Sequence, residues 1–247
     1  RLCGVLEPAR SRLDTEAFIA SVPGARFIQG EVVSFDPTTK TVTLADGTTH
    51  GGRFVVVALG SGFEAPAGIE GASRVLGYKG ESDFEAARAA LRAVLEGAEG
   101  HPDLLVVGGG ISGCELAGEL AALARGRPEG WAAPKVRLVT STASLVDGLG
   151  ERISRKARRA LEGQGVEVLT SARLRSVVEG VAELERAGGE RTLVPTALAL
   201  WAGGIRPAAV LGHLGLPRTE QGWLAVGPTL QCFADPEMTR PDVFACG

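Results

Sequence analysis

The residues best suited to chemistry stand six in a row, Gly108-Gly109-Gly110-Ile111-Ser112-Gly113. They satisfy G-x-G-x-x-G, a spacing that serves dinucleotide binding when a strand precedes it and a helix follows. Each glycine has its own physical reason. Gly108 makes the tight turn out of the strand, and Gly110 removes a Cβ where a pyrophosphate would approach. Gly113 lets the helix pack close to the sheet. Helix-start N–H groups and the positive dipole end then face the phosphates. The bland alternative is a glycine-rich turn made for packing only. An acid at the end of the next strand would bond the adenosine ribose. Here that place holds Thr140-Ser141-Thr142, with no acid before Asp147. The hydroxyls of Thr140 and Ser141 suit a ribose hydroxyl or a 2′-phosphate equally, and no Arg follows closely as a phosphate clamp. The choice between the two nucleotide forms stays open.

Other chemistries find little support. Cys3, Cys114, Cys232 and Cys246 are scattered without a CxxC pair, so neither zinc ligation nor a vicinal redox disulfide is expected. They read as small apolar residues of a reduced cytoplasmic protein. His50, His101 and His213 show no ligand spacing. No metal site and no catalytic acid, base or nucleophile is assigned.

The elements that must carry the glycine loop follow from periodicity. Leu104-Leu105-Val106-Val107 is a buried strand, and Ile111–Ala124 a helix lined by Leu116, Leu120 and Leu123. Val136–Val139 is a second strand, followed by a helix over Glu151–Gln164 and a strand over Val166–Leu169. This alternation requires a parallel sheet with helices on its faces. An antiparallel meander over Leu174–Val178, Val181–Leu184 and Thr192–Val194 comes next, then the strand Ala197–Trp201. Upstream, Phe27–Phe35, Thr41–Leu44 and Phe54–Leu59 predict another three-stranded meander, turned at Asp36-Pro37-Thr38-Thr39 and Asp46-Gly47. Val55-Val56-Val57-Ala58 suggests entry into a buried sheet. Phe84, Ala87, Leu91, Val94 and Leu95 predict a helix from Ser82 to Leu95, capped at Ser82 or Asp83 and stopped by Gly97. Both halves thus end in a meander and an apolar strand with a small-residue turn, Ala58-Leu59-Gly60-Ser61 and Trp201-Ala202-Gly203-Gly204.

Composition bounds the answer. The chain has 247 residues and 35 glycines, about twice the usual glycine share of ~7%, as close backbone approaches would need. A net charge of −3 without a basic block argues against nucleic acid. No uncharged stretch exceeds 14 residues, the length of Thr192–Ile205, which is too short to cross a bilayer.

Several motifs carry a resemblance to a known family. Leu105-Val106-Val107-Gly108-Gly109-Gly110, continued by Gly113-Cys114-Glu115-Leu116-Ala117-Gly118-Glu119, resembles the NAD(P)H fingerprint of FAD-dependent pyridine-nucleotide disulfide oxidoreductases. Gly30-Glu31-Val32, Thr41-Val42-Thr43-Leu44-Ala45-Asp46-Gly47 and Val57-Ala58-Leu59-Gly60-Ser61 resemble that family's central FAD-domain segment. Trp201 to Pro207, Val226 to Gln231 and Pro241 to Gly247 are most similar to type II NADH dehydrogenases. The resemblance covers essentially the whole chain and keeps the family's order.

It implies an α/β, Rossmann-like, two-dinucleotide flavoprotein: an NAD(P)H domain over residues 101–206, inserted into an FAD domain formed by residues 1–100 and 207–247. FAD and NAD(P)H are the implied cofactors. Hydride would pass from the nicotinamide to the flavin, and electrons then to a quinone or another small acceptor. The flavin carries that chemistry, and the protein contributes orientation and access. By the same resemblance Glu115 lies beside the nicotinamide end, and Gly203 and Gly204 face the nicotinamide nucleotide. Val32 and Ala58 through Gly60 and Ser61 run near the FAD, while Glu119 is a helix-surface or subunit-contact residue. Alternatives within the superfamily are a ferredoxin or rubredoxin reductase and an NADH oxidase. A sulfide-quinone reductase is disfavoured by the intact fingerprint, and a non-catalytic NAD(H)-binding redox sensor is the rival of another class.

The chain opens at Arg1, its only methionine is Met238, and it stops at Gly247 after an apolar run. Both ends therefore read as cut, and the FAD domain as incomplete, with its own glycine-rich unit expected before Arg1. Such a chain is expected to bind NAD(P)H without FAD and to associate. The family pattern is compatible with a cytoplasmic protein, with a homodimer, and with peripheral membrane contact through a region beyond Gly247.

Overall fold

The tightest local constraints sit at the turns. In the computed structural model, which describes residues 13–62, 68–97, 101–235 and 237–246, Asp36 accepts the N–H groups of Thr38 and Thr39 at 2.8 and 3.3 Å. Asp46 likewise accepts the N–H of Thr48 at 2.8 Å and its hydroxyl at 2.7 Å. These side chain-to-backbone bonds fold the chain back on itself. Between the turns lie β1 (Val32–Asp36), β2 (Thr41–Leu44) and β3 (Thr49–Gly51), an antiparallel meander. Before it stands α1 (Thr15–Ala20), capped by Asp14.

The third meander strand is Thr49–Gly51, not the apolar run at Phe54–Leu59. The turn at Asp46-Gly47 returns the chain at once. The apolar residues instead form β4 (Val55–Val57), whose partner is far away in sequence, and Ser61–Gly62 forms the short β5.

The described residues fall into two compact units, 13–62 with 205–246, and 68–204. The second begins with β6 (Val75–Leu76) and α2 (Glu81–Leu95). Gly80, rather than Ser82 or Asp83, caps α2, and its N–H donates to the Asp83 carboxylate at 3.3 Å. Then follow β7 (Leu104–Val107), α3 (Ile111–Arg125), β8 (Val136–Val139), α4 (Glu151–Gly163) and β9 (Glu167–Leu169). The meander β10 (Ala172–Val178), β11 (Val181–Arg186) and β12 (Arg191–Pro195) leads into β13 (Leu198–Trp201). Residues 69–97 therefore pack with this unit, so the division near residue 100 expected from sequence lies instead between residues 62 and 68. The reason is pairing, since β6 adds to the edge of the same sheet through Val75 opposite Ala199.

The five strands run parallel in the order β6-β13-β7-β8-β9. All four residues of β7 are buried because both faces are covered. Successive side chains point to opposite faces. Leu104 and Val106 pack with Leu91 of α2, Leu120 of α3 and Leu161 of α4. Leu105 and Val107 pack with Leu174, Leu184 and Val194 of the meander. Among the described residues, helices thus cover one face only. The other face, also expected to carry helices, is covered by the meander, whose alternating strands present one apolar side.

The first unit closes with β14 (Arg206–Pro207), β15 (Gln231–Phe233) and β16 (Thr239–Ala245). β4 runs parallel to β16, with Val55 opposite Val243 and Val57 opposite Ala245. Its core joins Phe35, Val57, Leu214, Cys232 and Val243. Cys3 and Gly247 lie outside the described residues.

Candidate dinucleotide site

Register brings the site together. Val107, Val139 and Trp201 are the last residues of three adjacent parallel strands, with Val107 opposite both Val139 and Trp201. The segments that follow, Gly108 to Gly110, Thr140 to Thr142 and Ala202 to Gly204, must therefore emerge side by side. They line one cleft of about 600 Å3. The chain leaves β7 for β8 on one side, and β13 returns on the other. The cleft thus sits beyond the carboxyl ends of the strands where the winding reverses, the preferred ligand position in such sheets.

The glycines divide the work as their contacts dictate. Gly108 has φ +122°, and a Cβ there would meet the Ala202 carbonyl at 2.5 Å and Gly203 N at 2.6 Å. A Cβ on Gly113 would collide with the Gly108 carbonyl oxygen, so this glycine sets the approach of α3 to its strand. A Cβ on Gly109 would press on the Thr140 side chain at 2.7 Å. Gly110 differs from all three: it caps α3, and its missing Cβ faces open space. Nothing in the packing requires a glycine at that position. The residues present therefore fit a dinucleotide, with free room beside a fifteen-residue helix start.

Across the cleft, Gly203 is constrained by the Trp201 ring, which a Cβ would meet at 2.6 Å, whereas Gly204 has φ +128° and open space. Thr140 is buried, and its hydroxyl pairs with that of Thr142 at 2.9 Å. Ser141 is exposed on the cleft wall. Thr140 is therefore a spacer beneath Gly109, and Ser141 presents the free hydroxyl.

The cleft holds groups that sequence reasoning missed. Asp147 lines it, carried there because Val146 N–H donates to Gly109 O at 2.7 Å. Arg173 and Arg175 of β10 line it too, although no Arg follows Thr140 closely in sequence. Strand alternation was the only available signal, marking both as outward residues of β10.

Other expected residues stand elsewhere. Ile111 and Ser112 are exposed in the first turn of α3, outside the cleft lining. Glu115 is exposed as well and borders a groove between α3 and α4, with Glu119, Arg125 and Gln164. Burial first, and then the Glu115 charge, pushes the Cys114 thiol and the Tyr78 hydroxyl up from their ordinary pKa values. Burial also pushes up Cys232. In the other unit, Gly60 lines an apolar cleft of about 310 Å3 with Val57, Leu59, Trp223, Leu230 and Cys246. Val32 and Ala58 are not in its lining, and Ser61 opens β5. Among the described residues of its unit, no glycine-rich strand-to-helix turn provides a phosphate cradle. Among the described residues no metal-binding cluster occurs, and no helix is long and apolar enough to cross a membrane.

The family model for pyridine nucleotide-disulphide oxidoreductases matches residues 5–247. The chain belongs to that family. A curated relative, the type II NADH:quinone oxidoreductase NdhA of Mycobacterium tuberculosis, is 28% identical, over 99% of this chain and 56% of its own length. Among solved structures, the fold matches NDH2 from Plasmodium falciparum in complex with NADH at a TM-score of 0.73. That match has 16% identity and covers 89% of this chain and 49% of the other. An NAD-dependent persulfide reductase from A. fulgidus matches at a TM-score of 0.74 and 20% identity, over 100% of this chain and 44% of the other. The chain thus spans about half the length of the proteins it matches. The glycine loop at the start of α3 lies within the residues that the family model matches.

Proposed function

We propose that this chain is part of an FAD-dependent NAD(P)H dehydrogenase whose electrons go to a quinone. The observation that carries the reading is the open space at Gly110, at a helix start, beyond the ends of three parallel strands. In this reading residues 68–204 bind NAD(P)H, and residues 13–62 with 205–246 contribute to the FAD domain. The pyrophosphate lies against the N–H groups that open α3, where the dipole favours negative charge. Gly203 and Gly204 give the nicotinamide nucleotide close access to backbone, and Ser141 meets the adenosine ribose. Val57, Leu59 and Gly60 form an apolar wall for the flavin ring. When bound, FAD supplies the chemistry, accepting hydride from the nicotinamide and releasing electrons to the acceptor. Glu115 stands on the exposed face of α3 and is proposed to border the nicotinamide end.

The quinone acceptor is supported by the likeness to the type II NADH:quinone oxidoreductase NdhA. Peripheral membrane contact and a homodimer belong to the same proposal. Anaerobic mixing of the whole FAD-loaded enzyme, of which this chain is proposed to be part, with NADH or NADPH tests it. The yellow flavin band should bleach, then return on adding a soluble quinone. A band that neither nucleotide bleaches would contradict the dehydrogenase reading, and one that quinone fails to restore would contradict the acceptor.

A further inference from the structure

A second recess shares one wall with the dinucleotide cleft. It has a volume of about 460 Å3, and Ser141, Ser171, Arg173, Arg175, Glu185 and Arg186 are among the residues that line it. Ser141, Arg173 and Arg175 also line the cleft itself. Two backbone bonds fix this junction. Ala172 N–H donates to Thr140 O at 3.0 Å, and Ser171 N–H donates to Thr142 O at 2.9 Å. The first residues of β10 are thereby tied to the segment that ends β8, and Arg173 comes next.

The arginines differ in how their charges are used. Arg175 grips Glu185 with two nitrogens, at 2.8 and 3.1 Å. Arg191 bonds Glu183 at 3.2 Å and stands 3.9 Å from Glu185. Arg173 is exposed, and no ion pair joins it among the described residues, although its charge helps hold the Glu185 carboxyl below its ordinary value. The acid opposite Arg173 in register, Glu185, is therefore already taken. Asp147, the acid of the cleft, belongs to the glycine-loop side and is not part of the recess. With three arginines against the one carboxylate of Glu185, itself paired with Arg175, this hydroxyl-bearing pocket beside the residue proposed to meet the ribose suits a dianion. Arg prefers phosphate because its planar fork matches the oxygens.

We propose that the recess takes the 2′-phosphate of NADPH, held by Arg173 and Ser141, and that this chain prefers NADPH to NADH. The inference rests on the dinucleotide reading of the neighbouring cleft. It replaces the open choice left by the sequence, because the clamp arrives from β10 rather than from the residues after Thr140.

Calorimetric titration of the chain with NADPH, NADH and 2′-phospho-AMP tests it. NADPH should bind about tenfold tighter than NADH or better, with an advantage that shrinks as salt rises. Arg173→Gln should lower NADPH and 2′-phospho-AMP affinity about tenfold while leaving NADH affinity unchanged, and Arg173→Lys should restore part of the loss. Circular dichroism reports that each variant keeps its fold. Equal losses for NADPH and NADH, or no loss for either, would overturn the role of Arg173 while sparing the cleft. Failure of both nucleotides to bind the unaltered chain would overturn the dinucleotide reading and this inference with it.

Discussion

Gly110 and Gly113 are three residues apart in one motif, yet their substitutions should fail in opposite ways. A Cβ at Gly110 enters open space, whereas one at Gly113 strikes the Gly108 carbonyl. Gly110→Val should keep the melting temperature near that of the parent and abolish NAD(P)H binding by calorimetry. Gly113→Val should lower stability by about 3 kcal/mol or more in urea unfolding, because the Gly108 backbone it strikes cannot swing aside as a flexible side chain could. Equal melting losses in both variants would remove this division of roles. The ribose end makes a similar contrast. Ser141→Glu puts a carboxylate on the cleft wall and should weaken NADPH more than NADH. Thr140→Glu would bury a charge beneath Gly109 and damage the fold instead. The glycine loop was legible in sequence because its geometry is local to one turn. Arg173 was not, since a backbone bond from Ala172 to Thr140 creates that neighbourhood across more than thirty residues.

β8 shows what an element hides from sequence reading. Its four residues are all buried, yet one is Arg137. That guanidinium bonds Asp103 at 2.8 Å, Glu167 at 3.0 Å and the Pro195 carbonyl at 2.9 Å, lacing β8 to the residue before β7, the first residue of β9 and the last of β12. Arg137→Ala should cost about 3 kcal/mol by denaturant unfolding, since it strands the largely buried Asp103 carboxylate, and Arg137→Met should behave no better unless Asp103 is also neutralised. Glu167 is held below the ordinary glutamate value by its bond to Lys135, and then by the charges of Lys135 and Arg137. Its folded pKa is lower than its unfolded one. The stabilisation is therefore complete above the ordinary glutamate range and lost as pH falls through the lowered value. In Lys135→Met the drop in urea midpoint over that acid range should be smaller, and an unchanged drop would exclude Glu167 as its source. Long periodic elements such as β7 and α3 were readable from pattern. The partner of each sheet face was not, because a continuous apolar run says that both faces are covered without saying by what. α1, β6 and β15 are too short to carry a period.

At the scale of the molecule, the two units make different demands. In the smaller one β4 pairs with β16 alone among the described strands, leaving an edge on which Val56 is 61% and Phe54 57% exposed. Apolar edges of this kind recruit other chains. Concentration-dependent association by light scattering is expected, and Val56→Lys should reduce it. The larger unit carries the central claim, that a pyridine dinucleotide lies across the ends of β7, β8 and β13. Hydrogen exchange of the chain with and without saturating NADPH tests this most directly. Protection should rise in residues 108–115, 140–147, 172–175 and 201–204, while β15 and β16 exchange as before. Unchanged exchange in those four segments, with nucleotide shown to be bound, would contradict the account.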